Sequence, residues 1–292
     1  MWIVNDGSRA FTGSKNDPAD PAPNGAAYAV SYNRPITTRD SSGVSSGPQD
    51  MVFGAEYAAI QWMEQNGYDV SYIAGVDTAT NGSLLLNHKI FMDAGHDEYW
   101  TDSQRANVQA AADAGVNLTF LSGNEIFWQT RYEPSIDGSG AINRTLVTYK
   151  DSHFGTVIDP NGIGTGTSQA PTSMGGANMP ANSLTGTVFQ VDDGFSNGTA
   201  ASTTITIPYN LTQLRFWRNT SVANTAPGQT ASLEPLLLGY EWDASPDNGF
   251  MPAGLVNLSS NNAAGPDLQF SVWERRWAAP PPATTFAASS HG

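Results

Sequence analysis

The sequence predicts an α/β fold built on a parallel sheet, followed by a β-rich lobe. Three observations carry that prediction. Strand-like and helix-like segments alternate between residues 27 and 155, and alternation at that spacing means right-handed βαβ crossovers. "KIFMDAG" (89–95), apolar but for Lys89 and Asp93, reads as a continuous apolar strand of the kind covered on both faces. From residue 183 to 260 the segments become short and alternating, with turn residues between them, the pattern of antiparallel strands. The core is therefore placed at 27–155 and the lobe at 183–260, with irregular ends at 1–26 and 266–292.

The elements follow in order. "GSKNDPADPAPNG" (13–25) is a polar Pro/Gly loop. "AAYAVSYNRP" is a short strand that Pro35 must end, because proline cannot donate to a ladder. Ala55, Ala58, Ala59, Trp62 and Met63 recur at helical spacing, and Gly67 supplies the stop. "DVSYIAG" (69–75) reads as a strand and 79–87 as a weak helix. After the apolar strand, Thr101 and Gln104 have the spacing of a capping box that opens an Ala-rich helix running to Gly115. "VNLTFLSG" (116–123) is the next strand. A long polar loop follows residue 155. The segments "TGTVFQVD", "TTITIPYN", "QLRFWRNTSV", "PLLLGYEWD" and "AGLVNLSS" then read as strands of the lobe.

Composition bounds the function. The chain has 292 residues and a formal charge of −14 from 13 basic and 27 acidic side chains. Affinity for nucleic acid comes from clustered Lys and Arg, so that class is set aside. No cysteine is present, which removes disulfides, zinc–thiolate sites and thiol nucleophiles. No apolar run approaches the ~20 residues of a membrane span. The low charged content, 14%, with 29 Gly and 18 Pro, is the composition of secreted bacterial proteins, and an extracellular location is expected although the start shows no signal peptide. That start reads like the middle of a domain, so the chain is expected to be a fragment with further domains missing.

The chemistry gathers at strand ends. "HDEYW" (96–100) follows one carboxyl end, "NEIFW" (124–128) another and "NRP" (33–35) a third. Ligands of open α/β sheets bind outside those ends, so the three clusters are expected at one edge of one sheet. His96, Glu98 and Tyr99 supply an imidazole, a carboxylate and a phenol, all donors and proton carriers. The bland reading makes His96 and Asp97 helix caps. Asn124 and Glu125 form the second cluster, with Arg131 a candidate partner of Glu125. Asp243, Ser245, Asp247 and Gly249 only faintly match a calcium loop. His88 and His153 read as surface or structural residues.

Longer motifs carry a family likeness. "YAVSYNRP", "FGAEYAAIQWMEQNGYDVSY", "AGHDEYW", "RANVQAAADAGVNLTFLSGNEIFWQTRYE", "RTLVTYKD", "LRFWRNTSV" and "LGYEWDASPDNGF" together resemble the C-terminal region of the N,N-dimethylformamidase large (β) subunit and its bacterial relatives. The resemblance implies a class I glutamine-amidotransferase-like (flavodoxin-like) parallel sheet with helices on both faces. It implies amide hydrolysis to an amine and formate at a mononuclear iron held by two tyrosines and a glutamate. Tyr99 is the best match to one tyrosine. Tyr57 or Tyr72 is the second, and Glu125 or Asp151 the carboxylate. His96, Glu98, Asn124 and Glu125 are then the catalytic candidates, with a small amide as substrate. Two departures stand out. Asp97 replaces a proline, and the closing strand and helix of the family give way to a Pro/Ala tail, so the sheet is expected to lack an edge element. The rival reading is a secreted surface or carbohydrate-associated module with the same fold and no reaction.

Overall fold

The structure, a computed structural model, describes residues 28–33, 56–95, 97–192, 204–234, 237, 241–259, 271–274 and 284–288. Among the described residues the strands run, in chain order, β1 (Ala29–Ser31), β2 (Ile90–Gly95), β3 (Tyr99–Thr101), β4 (Asn117–Ser122), β5 (Trp128–Glu133), β6 (Thr145–Val147), β7 (Val188–Asp192), β8 (Thr206–Pro208), β9 (Thr230–Ser232), β10 (Glu241–Ala244), β11 (Val256–Asn257), β12 (Ser271–Glu274) and β13 (Thr284–Ala288). The longer helices are α1 (Tyr57–Gln65), α2 (Gly75–Thr80) and α3 (Asp102–Asp113). The fold is mixed α/β, with small sheets and few helices.

The chain forms two units that alternate along the sequence. The first takes 1–84, 97–108 and 126–180, and the second takes 85–96, 109–125 and 181–292. In the first unit a four-stranded sheet runs β1-β6-β5-β3. β1 and β5 are antiparallel to β6, and β3 is parallel to β5. Val30, Leu146, Val147, Trp100 and Trp128 are buried in it. In the second unit a five-stranded sheet runs β11-β12-β13-β4-β2, with β13, β4 and β2 parallel. Leu118 and Phe120 of β4 are wholly buried, as the apolar pattern requires. Two further two-stranded antiparallel sheets, β7–β10 and β8–β9, belong to this unit.

Several elements form as their residues dictate. The Gln104 amide donates to Thr101 Oγ1 at 3.1 Å, which caps α3 in the manner its spacing predicts. Gly67 ends the α1 segment at φ +69°. Elsewhere the structure departs from the sequence reading. Residues 69–75 form no strand: Tyr72 and Ile73 are exposed, and a strand without a covered face gains little from pairing. The weak helix over 79–87 splits into α2 and a 3-10 turn, Gly82–Asn87. Asn107 of α3 causes the split, donating to the carbonyls of Thr78 and Ala79 at 2.9 and 3.0 Å. Its side chain fills the space a Cβ at Gly82 would need.

"QLRFWRNTSV" is also not a strand. It makes two 3-10 turns, Arg215–Trp217 and Ser221–Asn224, because Thr220 and Thr225 hydroxyls bond locally to the carbonyls of Trp217 and Val222. The end expected to be irregular holds β12 and β13, and β13 joins β4 where a missing edge element was expected. β1, expected beside β2 and β4, lies in the other unit's sheet. The polar clusters at 33 and at 124–125 therefore do not share one sheet edge. Among the described residues no helix is long and apolar enough to cross a membrane.

Candidate functional site

In the first unit the site begins with Asp97, Glu98 and Tyr99, all half-buried; His96 lies outside the described residues. The backbone here continues the β3–β5 ladder: Ile126 N donates to Asp97 O at 3.1 Å and Trp128 N to Glu98 O at 2.8 Å. Tyr99 is thereby paired with Trp128. Its ring packs on Val30 and Leu146 beside Tyr32 and Tyr132, so three phenols gather on one apolar patch. Tyr32 and Tyr132 lie 6.2 Å apart, centroid to centroid, and their hydroxyls share a hydrogen bond. Burial raises the pKa of both, so each stays a neutral phenol until a cation draws its proton off. Lys150 Nζ sits 5.3 Å from the Tyr99 ring centroid and 4.5 Å from that of Trp128, with the His153 ring on the same indole at 4.9 Å.

The other first-unit candidates have different surroundings. Tyr57 is 46% exposed on α1. Tyr72 donates its hydroxyl to Glu64 at 2.7 Å, and that bond raises its pKa. Asp151 is wholly buried and fully used: Oδ1 accepts from the amides of Ile158 and Asp159, and Oδ2 from the amide and hydroxyl of Thr165. It is a structural carboxylate, with no lone pairs to spare for a ligand. Arg131 is a partner of Glu133 and Asp159 and not of Glu125.

In the second unit Asn124 and Glu125 follow β4 directly, and both are buried. Asn124 has φ +60° and Ile126 φ +59°, two non-glycine residues in the left-handed region on either side of Glu125. For a β-branched residue that is an outlier, and such strain gathers at functional segments. Glu125 is 2% exposed, and among the described residues neither of its carboxyl oxygens has a donor within hydrogen-bond distance. Asp243 of β10 is better provided: the Asn124 amide donates to Oδ1 at 3.0 Å and the Thr187 hydroxyl to Oδ2 at 3.3 Å. Burial raises the Glu125 pKa well above the carboxylate range, and the nearby charge of Asp243, then that of Asp93, adds to it. Raised in this way, the pKa favours the neutral carboxyl of Glu125 over its carboxylate.

Asp243, Ser245 and Asp247 do not form a calcium loop. Asp243 is buried in the contacts above, and Ser245 donates to Gly186 O at 2.9 Å. Among the described residues no group of three His, Cys, Asp or Glu could hold a metal ion. Phenol oxygens are hard donors, and the rings of Tyr99, Tyr32 and Tyr132 pack on the same apolar patch. Asp93 and Asp243 were missed as partners of Glu125. Asp93 left a signal, an acid inside an otherwise apolar strand; the approach of Asp243 depends on a pairing between distant segments.

A family model described as N,N-dimethylformamidase beta subunit-like, C-terminal, matches residues 2–290. No curated protein matches the chain.

Proposed function

This chain belongs to the N,N-dimethylformamidase beta subunit-like C-terminal family, and from that premise we propose that it is a hydrolase-like domain acting on a carbon–nitrogen amide bond. Within it, the fold class we favour remains the amidotransferase-like one that the motifs resemble, and the location extracellular. The observation that carries the reading is Glu125: a carboxyl buried immediately after a parallel strand, beside two further acids and with no hydrogen-bond donor among the described residues. A protein keeps such a group at a cost in stability, and a protonated carboxyl is a proton donor ready for use.

Hydrolysis of an amide adds water to the carbonyl carbon, breaks the C–N bond and delivers a proton to the departing nitrogen. Glu125 is assigned the donation to nitrogen, with Asn124 shaping the turn that presents it. Glu98 and His96 are assigned to handling the proton of the attacking water. Iron is the metal we assign, with Tyr99 as one phenol ligand. Tyr57 is the second by resemblance, and Tyr32 or Tyr132 is the alternative, favoured by their packing beside Tyr99. Bound there, iron would act as a Lewis acid toward the carbonyl.

Elemental analysis and an amide-hydrolysis assay on purified protein test this. Iron near one per chain, lost in Tyr99→Phe, with release of amine and formate from N,N-dimethylformamide, is the expected result. Protein that neither takes up iron nor releases amine returns the domain to the rival reading. One observation favours that rival: Trp62, Tyr68 and Tyr72 are all exposed, with the first two rings 5.2 Å apart, an aromatic surface on which a sugar ring can stack. Retention on a carbohydrate matrix, lost in Trp62→Ala, is its signature.

A further inference from the structure

Lys150 was singled out by no spacing argument, yet its surroundings are specific. Its backbone stands at φ +50°, ψ +42°, a left-handed conformation that a lysine adopts when neighbours impose it. The neighbours are visible on both sides. Tyr149 stacks on Tyr28 with centroids 4.4 Å apart and planes 10° from parallel, and Asp151 is anchored by three backbone amides and a hydroxyl. The side chain that emerges between these anchors lies across two rings. Tyr99 and Trp128 are register partners on β3 and β5, and the ammonium stands 5.3 and 4.5 Å from their centroids. A lysine with only a surface role keeps its head in water. This one is half-buried and held over aromatic faces, which offset part of the lost hydration.

We infer that Lys150 is a further functional residue of the proposed hydrolase site: its ammonium, fixed over Tyr99 and Trp128, is the positive charge that offsets the negative charge developing on the amide oxygen. The inference rests on the hydrolase reading and deepens it. As water attacks, the carbonyl π pair moves onto oxygen. When that pair returns, the C–N bond breaks and nitrogen leaves with a proton. Lys150 transfers no proton; it stabilises the oxygen through charge, as preorganised donors do, and afterwards faces the carboxylate of the product. Trp128 and Tyr99 are positioning residues for it.

Three variants of the full chain test this: Lys150→Met, Lys150→Gln and Lys150→Arg, each checked for native near-UV dichroism. In hydrolysis of N,N-dimethylformamide, kcat should fall about 100-fold in the Met and Gln variants with KM less affected, and Arg should restore most of it. Separately, calorimetric titration with sodium formate should show binding by the parent and the Arg variant, weakened at least about tenfold in Met and Gln. Hydrolysis by the parent with kcat unchanged in the Met and Gln variants overturns the role of Lys150 and leaves the hydrolase reading standing. Formate binding lost in those variants, in a parent that hydrolyses nothing, overturns the hydrolase reading and with it the role on the amide oxygen, leaving Lys150 an anion-binding residue only. Formate that fails to bind the parent, or binds all variants equally, overturns the inference outright.

Discussion

At the scale of single residues, the sharpest feature is the unequal treatment of two acids. Asp243 receives a backbone amide and a hydroxyl, whereas Glu125 has no donor at either oxygen among the described residues. The folded pKa of Glu125 is raised, so the native state binds a proton that the unfolded chain releases. Its contribution to stability is therefore complete below the ordinary carboxylate range and is lost as pH rises toward the folded value. Glu125→Gln cannot titrate. The gap between the urea midpoints of this variant and the parent should widen in favour of Gln between pH 5 and pH 8. Midpoints that move in parallel would show that Glu125 is ionised in the native state. The sequence made Glu125 visible through its place after an apolar strand. It could not show the companion acid, because Asp243 and its partner Asn124, 119 positions apart, meet only through folding.

At the scale of elements, local signals were read well where local physics decides. The cap of α3 and the strands β2 and β4 are set by a hydroxyl, an apolar run and an alternation, all contained in a few residues. β2, however, lies at the sheet edge with Ile90 56% exposed and is not covered on both faces. Elements settled by a distant neighbour were not legible. The 3-10 turn at Gly82–Asn87 exists because Asn107 reaches into it. The long loop after residue 155 looked structureless, yet Asp151 organises it. Replacing Asp151 with Ala would strand the amides of Ile158, Asp159 and Thr165 in a buried setting, at about 1–3 kcal/mol for each. A loss of at least about 3 kcal/mol in chemical denaturation is expected, with a smaller loss for Asp151→Asn, which keeps an acceptor oxygen. A loss below about 1 kcal/mol in the Ala variant would remove Asp151 from this role. Gly176→Ala should weaken the same loop, since a Cβ there runs into the carbonyl of Ala170.

At the scale of the whole molecule, the chain passes repeatedly between its two units, and the second unit takes β13 from residues far along the sequence. β13 lies between β12 and β4 in the sheet. A chain ending at residue 283 leaves the ladder positions of Leu118–Leu121 facing β13 without partners, and an opened sheet edge is a template for aggregation. Such a truncation should give lower soluble yield and a less cooperative thermal transition than the parent; equal yield and cooperativity would show β13 to be dispensable. The mixed α/β class was legible because patterning reports burial. The division into interleaved units was not, since nothing local marks where a segment changes allegiance.

That last strand also sets a timetable. Phe286 pairs with Thr119, so during synthesis β4 leaves the ribosome long before the strand that will flank it exists. For the whole interval one side of a hydrophobic strand must be shielded by other parts of the nascent chain or by chaperones. The second unit thus completes its sheet only after the ribosome has passed residue 288, and loops that long close slowly.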